Sequence, residues 1–432
     1  MERSIMPQML LHRPAVLSVL CLVMGGLGCE QNADVIVEQS DYEAATTTAK
    51  RPFPDHVHYA GASIMPSHVS QAAMDDAVRR AYDSWKTNYL RQTGGQGTWV
   101  KYDGSDSTVS EAQGYGMVVS AYLGDKPVFD SLRQFYKSHP SKLSPQLMAW
   151  KQSLRDGKMV NVDGADSATD GDLDIAYSLV LADAQWGSSG SISYRTDALS
   201  ILSAILSREV NSSLGTLKPG DWATGSDAEH TRPSDFMTDH FLVFAKFDTA
   251  HAAEWSRIYD SAAAIVNRQF AGGSSATGLM PDFMVKSGSG FVPVPGKYLE
   301  GNHDGDFHYN ACRTPWRLTM SYLTHGRTDM LAALRKQAAW IRSASGGKPS
   351  GIRAGYYVAG GSNGSPYVSY DDLAFTAPFA VNAMVSGSSG QSFLNALWTS
   401  ITGGDYGSKV NYYSDSIRLQ VLLTVSGNWW TP

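Results

Sequence analysis

From about residue 68 onward, apolar residues recur every three to four positions for most of the chain, the spacing that gathers them on one face of a helix. Ser67–Ser70 opens a segment with Ala73, Ala77, Ala81 and Trp85 at spacing four. The run Leu173–Trp186 is instead apolar round most of its circumference, as expected of a helix buried on several sides. Segments of these two kinds predict about a dozen helices, near 68–90, 110–122, 126–138, 172–186, 193–210, 234–246, 250–270, 310–325, 328–344, 371–386, 390–402 and 409–425. Gly, Pro, Ser and Asp fill the joints. No strand-rich block or linker divides the region, and no regular period marks a solenoid. An even number of helices without a split predicts antiparallel pairs stacked into one all-α toroid or barrel.

The first 57 residues read differently. Arg3, His12 and Arg13 precede the apolar run Ala15–Met24 and the small residues Gly25, Gly26 and Gly28, which is the pattern of an export signal over residues 1–29. Cys29 follows Leu27-Gly28 and resembles a bacterial lipoprotein cleavage site, so secretion or a lipid anchor at Cys29 is expected. Residues 30–57 are polar, Thr-rich and then Pro-punctuated, and predict a linker. The catalytic domain is therefore expected over 58–432. With Cys21 inside the signal and Cys29 lipidated or removed, Cys312 has no disulfide partner. A core of this length is large enough to stand without one.

Composition narrows the function class. Apolar residues at 43% and charged residues at 18% are ordinary for a globular chain. The 41 acidic residues outnumber 35 basic ones, for a net charge of −6, which disfavours a nucleic-acid partner. Past the N-terminus no apolar stretch is long enough to span a membrane. Nothing requires more than a monomer. Aromatics are abundant, with 11 Trp and 21 Tyr, a usage shared by carbohydrate clefts and ordinary cores.

Three polar clusters stand at predicted helix starts. In Thr108–Met117, Glu111 falls in a first turn beside Gly114 and Gly116, which let another chain approach closely; Ser110 is the expected cap. Ala165–Ala176 places four aspartates in nine residues at the head of an apolar helix, with Thr169 or Asp170 as a cap. A calcium loop is disfavoured there because no Glu stands at the twelfth position counted from Asp163 or Asp166. Tyr298–Arg317 holds His303, Asp304, Asp306 and His308, metal-ligating types in a spacing that matches no zinc pattern, and no cofactor is expected. Arg313 and Arg317, at i and i+4, are placed to clamp a carboxylate or to line a helix face. Two carboxyls flanked by stacking aromatics are what hydrolysis of a glycosidic bond needs: one protonates the leaving oxygen, and the other activates water or attacks. Trp150, Trp222 and Tyr309 lie near the clusters as stacking platforms. No Gly-x-Ser-x-Gly elbow, Walker loop, dinucleotide fingerprint or His-Glu-x-x-His is present.

Taken together, Ser110–Met117, Ala168–Ala176, Thr231–Met237 and Tyr309–Arg317 resemble the motifs of glycoside hydrolase family 8, in the family's order. The resemblance implies an (α/α)6 barrel, an inverting mechanism and endo-attack on β-1,4-linked polysaccharide. It assigns Glu111 as general acid, Asp170 as the residue holding the sugar at the cleavage subsite, and Trp150 as a stacking residue. Trp222 is expected to stack further along the cleft, and Tyr309 and Arg313 to flank the water-activating site. Two departures stand out. Ala112 replaces a more usual Gly beside the acid. Asn310 occupies the place of the aspartate base of the cellulase-like branch, and its amide cannot accept a proton at neutral pH. The resemblance is thus to the branch containing the chitosanases, in which a loop glutamate supplies the base; Glu300 matches it, with Asp304 and Asp306 as alternatives. Chitosan is the expected substrate, its ammonium groups pairing with Asp163, Asp166, Asp172, Asp227, Glu229, Asp304 and Asp306. A mixed-linkage or β-1,4-glucan is the alternative, then xylan. A catalytically silent glycan binder and an acidic polysaccharide lyase are the remaining readings, although a lyase acting on uronic acids would want a basic cleft.

Overall fold

The computed structural model describes residues 49–102, 104–358, 360–403 and 411–432. Twelve α-helices lie among them: α1 Gln71–Tyr89, α2 Ser110–Tyr122, α3 Lys126–Ser138, α4 Thr169–Trp186, α5 Tyr194–Arg208, α6 Thr238–Phe247, α7 Ala252–Ala271, α8 Thr314–His325, α9 Leu331–Ala344, α10 Leu373–Ala383, α11 Gln391–Thr402 and α12 Tyr412–Val425. The expected segments match these to within a few residues at each end. No described helix is long and apolar enough to cross a membrane.

Two classes of helix alternate. In α3 only Val128, Phe129, Leu132, Phe135 and Tyr136 are buried, a single stripe at helical spacing. In α2 every residue is buried, and α4, α8, α10 and α12 are nearly as enclosed. The even-numbered helices pack in a closed ring, α2 on α4, α4 on α6, and so on until α12 returns to α2, while the odd-numbered helices pack outside it. The result is the expected (α/α)6 barrel. The α2–α4 seam is the tightest, and glycine makes it so. A Cβ at Gly171 would meet Ser110 Oγ at 2.4 Å, and one at Gly114 would meet the Asp174 Cβ at 2.8 Å.

The C-terminal ends of the inner helices are closed by the N-terminal described segment. Lys50, Ala60, Ile64 and Val57 donate backbone N–H groups to the carbonyls of Gln185, Leu323, Met384 and Gly427, at or just past the ends of α4, α8, α10 and α12. These are carbonyls a helix leaves unsatisfied. Phe53 is buried, and the Arg51 guanidinium lies 4.5 Å from the Trp430 ring. Residues 50–57, expected to end a linker, are therefore part of the folded unit: they act through backbone donors that composition does not reveal. The expected export signal, Cys29 and residues 30–48 lie outside the described residues. The opposite end of the barrel carries the N-termini of the inner helices. Two small three-stranded antiparallel sheets elaborate the chain there. One joins Ser107–Val109, Lys151–Arg155 and Lys158–Asn161; the other joins His230–Thr231, Met284–Ser287 and Gly290–Pro293.

Candidate active site

The N-terminal ends of the inner helices bring the expected residues to one place. Glu111 stands in the first turn of α2, Asp170 in that of α4, and Arg313 caps α8. Neither expected cap is used: the N-caps of α2 and α4 are Val109 and Ala168, and neither makes a side-chain capping bond. The carboxylates there are committed to side chains instead. Glu111 Oε2 accepts from Arg313 Nη1 at 2.6 Å, and its Oε1 accepts from the Tyr412 hydroxyl at 2.9 Å. The same Arg313 Nη1 donates to Asp170 Oδ2 at 3.0 Å, and Arg232 Nη2 lies 2.8 Å from Asp170 Oδ1. Arg313 Nη2 donates to Ser234 Oγ at 3.0 Å and to Asn310 Oδ1 at 2.9 Å. One guanidinium thus ties four inner-helix entrances together.

These contacts set opposite protonation preferences. Burial pushes the Glu111 carboxyl up to about 7, the attraction of Arg313 opposing it and the nearby Asp170 charge adding to it. Burial also acts on Asp170, but Arg232 and Arg313 more than offset it and hold this carboxyl well below the usual range. A carboxyl that keeps its proton up to near neutrality and a fixed anion therefore stand side by side.

Glu300 is half-buried on the loop after the second sheet. Burial raises its carboxyl, and a hydrogen bond with the Asn310 side chain lowers it. Asn310 itself is held from two sides, its Nδ2 donating to Asp282 Oδ2 at 3.3 Å and its Oδ1 accepting from Arg313. Arg313 thus joins Glu111 to Asn310, the side chain that acts on the Glu300 carboxyl. Asp304, an alternative to Glu300, is buried and turns both oxygens onto backbone N–H groups. Asp306 accepts from His303 Nδ1 at 2.9 Å and from the Val358 N–H at 3.2 Å. His303 also stacks on Tyr367, with ring centroids 3.7 Å apart.

The aromatic platforms take distinct places. Trp150 is half-buried beside the start of α2, where its carbonyl accepts from the Ser110 N–H at 2.9 Å and its indole N–H donates to the Asp163 carbonyl at 2.8 Å. Trp222 is half-buried on the loop next to α4, which contacts that loop through Thr169 Oγ1 and the Lys218 carbonyl. Tyr309 donates its hydroxyl to Asp372 Oδ2 at 3.0 Å and meets Phe375 edge-on. Sequence reading overlooked Tyr412, Arg232 and Asp282. Arg232 was within reach, since it sits inside the motif Thr231–Met237. Tyr412, 301 positions from its partner Glu111, carried no local signal.

A family model for glycosyl hydrolases family 8 matches residues 53–427. The chain belongs to that family. The family 8 match is therefore a glycoside hydrolase, as the paired carboxyls suggest. A β-glucanase from Niallia circulans is 46% identical over 396 residues, covering 90% of this chain and 93% of its own. An endoglucanase from Bacillus sp. strain KSM-330 is 34% identical, covering 94% and 87% respectively. The solved apo structure of a β-1,3-1,4-glucanase from Paenibacillus sp. X4 superposes with a TM-score of 0.84 at 44% identity, over 88% of this chain and 99% of that one. A cold-adapted family 8 xylanase, at 20% identity and a TM-score of 0.69 over 83% of this chain and 92% of that one, shares the fold.

The relatives do not support the expectation of chitosan and match the β-glucan alternative better. None of these relatives is a chitosanase by name, and the carboxylates expected to meet ammonium groups have protein partners. Asp172 is buried and accepts from the Met148 N–H at 2.9 Å. Asp163 pairs with Lys151 at 2.7 Å and Glu229 with Lys286 at 3.4 Å, while Asp227 accepts from the Tyr298 hydroxyl at 3.2 Å. Asp304 and Asp306 are committed as described, and Asp166 is buried. A count of acidic residues does not distinguish these internal partners from ligand contacts.

Proposed function

We propose that this family 8 enzyme is an endo-acting β-glucanase that cleaves mixed β-1,3-1,4-linked glucan by single displacement. The observation that carries it is Glu111, a carboxyl raised to about 7 between Arg313 and Tyr412, beside the ionised Asp170. Glu111 donates its proton to the glycosidic oxygen. Glu300 takes a proton from a water on the opposite face of the sugar, and Asn310 orients that carboxyl through its amide. Inversion by this route needs the two carboxyls roughly 6.5–9.5 Å apart when substrate is bound, which leaves room for the water. Asp170, fixed as an anion by two arginines, holds the sugar at the point of cleavage, with Trp150 and Trp222 stacking on neighbouring units. The names of the β-glucanase relatives, together with the internally paired acidic residues, favour neutral glucan over chitosan. The export pattern of residues 1–29 supports action outside the cytoplasm, on polymer too large to enter.

The test is proton NMR of the full chain acting on barley-type mixed-linkage glucan, chitosan and xylan in parallel. Glucan cleavage with the α-anomer appearing first is expected, and Glu111→Gln should reduce turnover by roughly 10²–10⁴ while leaving binding intact. Chitosan cleavage without glucan cleavage overturns the substrate, first appearance of the β-anomer overturns inversion, and tight binding without cleavage of any polymer marks a silent binder. A normal rate in Glu300→Gln removes Glu300 from the base role.

A further inference from the structure

The loop carrying Glu300 is built around a buried anion. Asp304 Oδ2 accepts three successive backbone N–H groups, from Tyr298 at 2.8 Å, Leu299 at 2.7 Å and Glu300 at 3.0 Å. Its Oδ1 accepts the next, from Gly301, at 2.8 Å. Four consecutive amides converging on one carboxylate form an anion nest filled by the chain itself. Asp304 is only 2% exposed, so these bonds are shielded from water. Its own backbone is anchored in turn: the carbonyl accepts from the Phe283 N–H at 2.7 Å, and the N–H donates to the Gly301 carbonyl at 3.3 Å. The next residue, Gly305, packs so closely that a Cβ there would meet the Val294 carbonyl oxygen at 2.2 Å. Asp282 performs the matching task beneath, accepting the N–H groups of His308, Asn310 and Ala311 at 3.0, 3.1 and 2.6 Å.

We propose that Asp304 is a positioning residue that fixes the backbone of residues 298–301 and so sets the place of the Glu300 carboxylate opposite Glu111. This rests on the reading of Glu300 as base. Asparagine at 304 is nearly isosteric but places an NH2 against N–H donors, which removes about half the acceptor capacity and sets donor against donor. The loop then loses its register, while the barrel, whose helices Asp304 does not touch through these bonds, stays intact.

The experiment is a double-mutant cycle on mixed-linkage glucan with Glu300→Gln, Asp304→Asn and the pair, alongside melting temperature and KM. The expected result is that Asp304→Asn lowers kcat by about 30- to 300-fold with KM little changed and a melting temperature that falls but stays above the assay temperature, and that adding it to Glu300→Gln costs no further rate. Near-normal turnover in Glu300→Gln overturns the base reading itself. An inactive Glu300→Gln with a near-normal Asp304→Asn overturns only the positioning proposal, as does an equal slowing by Asp304→Asn in both backgrounds. Asp304→Ser, which keeps a small acceptor, serves as the second variant. Failure of both 304 variants to fold assigns Asp304 to the stability of the whole chain and also overturns the proposal.

Discussion

Asp170 and Asp172 stand two residues apart in the first turn of α4, both buried, and they prefer opposite states. Asp170 faces Arg232 and Arg313 and is held as an anion. Asp172 has Glu209 beside it, with Asp221 close by, and burial together with these charges pushes it well above its usual range. Glu209 is raised to about 8 by burial, its Oε1 accepting from Ser167 Oγ at 2.5 Å. Desolvation works in the same direction on every one of these carboxyls. The arginines decide the outcome, and only the side of α4 that faces the Glu111 pocket has them. A buried carboxylate held by two arginines stays an anion, whereas two buried carboxyls side by side, with only the Lys218 ammonium acting on Glu209, favour the protonated form.

Removing the cation is the most severe way to break this contrast. Arg313→Met leaves Glu111 without its guanidinium and Asp170 with Arg232 alone. It should cost ~3–5 kcal/mol of stability by denaturant titration, and turnover should fall at least ~10²-fold. Arg313→Lys should not restore it, because one ammonium cannot reach Glu111, Asp170, Ser234 and Asn310 together.

The carboxyl pair sharpens the contrast from the other side. The folded Glu209 value of about 8 lies above the ordinary 4.5, so the native state binds the extra proton between these pH values. Stability contributed by this group is complete below about pH 4.5 and is lost as pH rises through 8. Glu209→Gln keeps an amide oxygen to accept from Asp172 and removes the titrating charge, and it should raise the melting temperature at pH 8 by several degrees, on the order of ~1–3 kcal/mol, with a smaller change at pH 5. A parallel shift at both pH values would contradict a Glu209 carboxyl that takes up its proton only in the folded state. The mildest change lies outside both groups: Trp150→Ala should raise KM for glucan about 3- to 10-fold with kcat and melting temperature nearly unchanged.

The helical architecture was legible because apolar spacing records it locally; α2 and α3 were located to the residue, and the all-round apolar circumference of Leu173–Trp186 predicted the many-sided burial seen in α4. Glu111, Asp170 and Arg313 were legible through ordered motifs, and the glycines at 114 and 116 through the close packing they imply. What stayed hidden depends on contacts between distant segments. Arg232 reaches Asp170 across 62 positions of sequence that no period spans. Residues 50–57 looked like linker because their work is done by backbone donors on helix carbonyls. Acidic abundance suggested a cationic substrate because a sequence does not say which carboxylates are already paired.

The pH dependence of kcat/KM on mixed-linkage glucan tests the central claim most directly, since it reports the ionisation of the free enzyme's acid. In the proposed mechanism Glu111 works protonated, and burial raises its carboxyl to about 7, so the rate should fall as pH rises through that value, and Asp170→Asn, by removing a neighbouring negative charge, should move this limb to lower pH in whatever activity remains. A rate that holds flat to pH 9, or a limb that ignores the loss of Asp170, would contradict the assignment of Glu111 as the acid raised by burial and by its neighbouring anion.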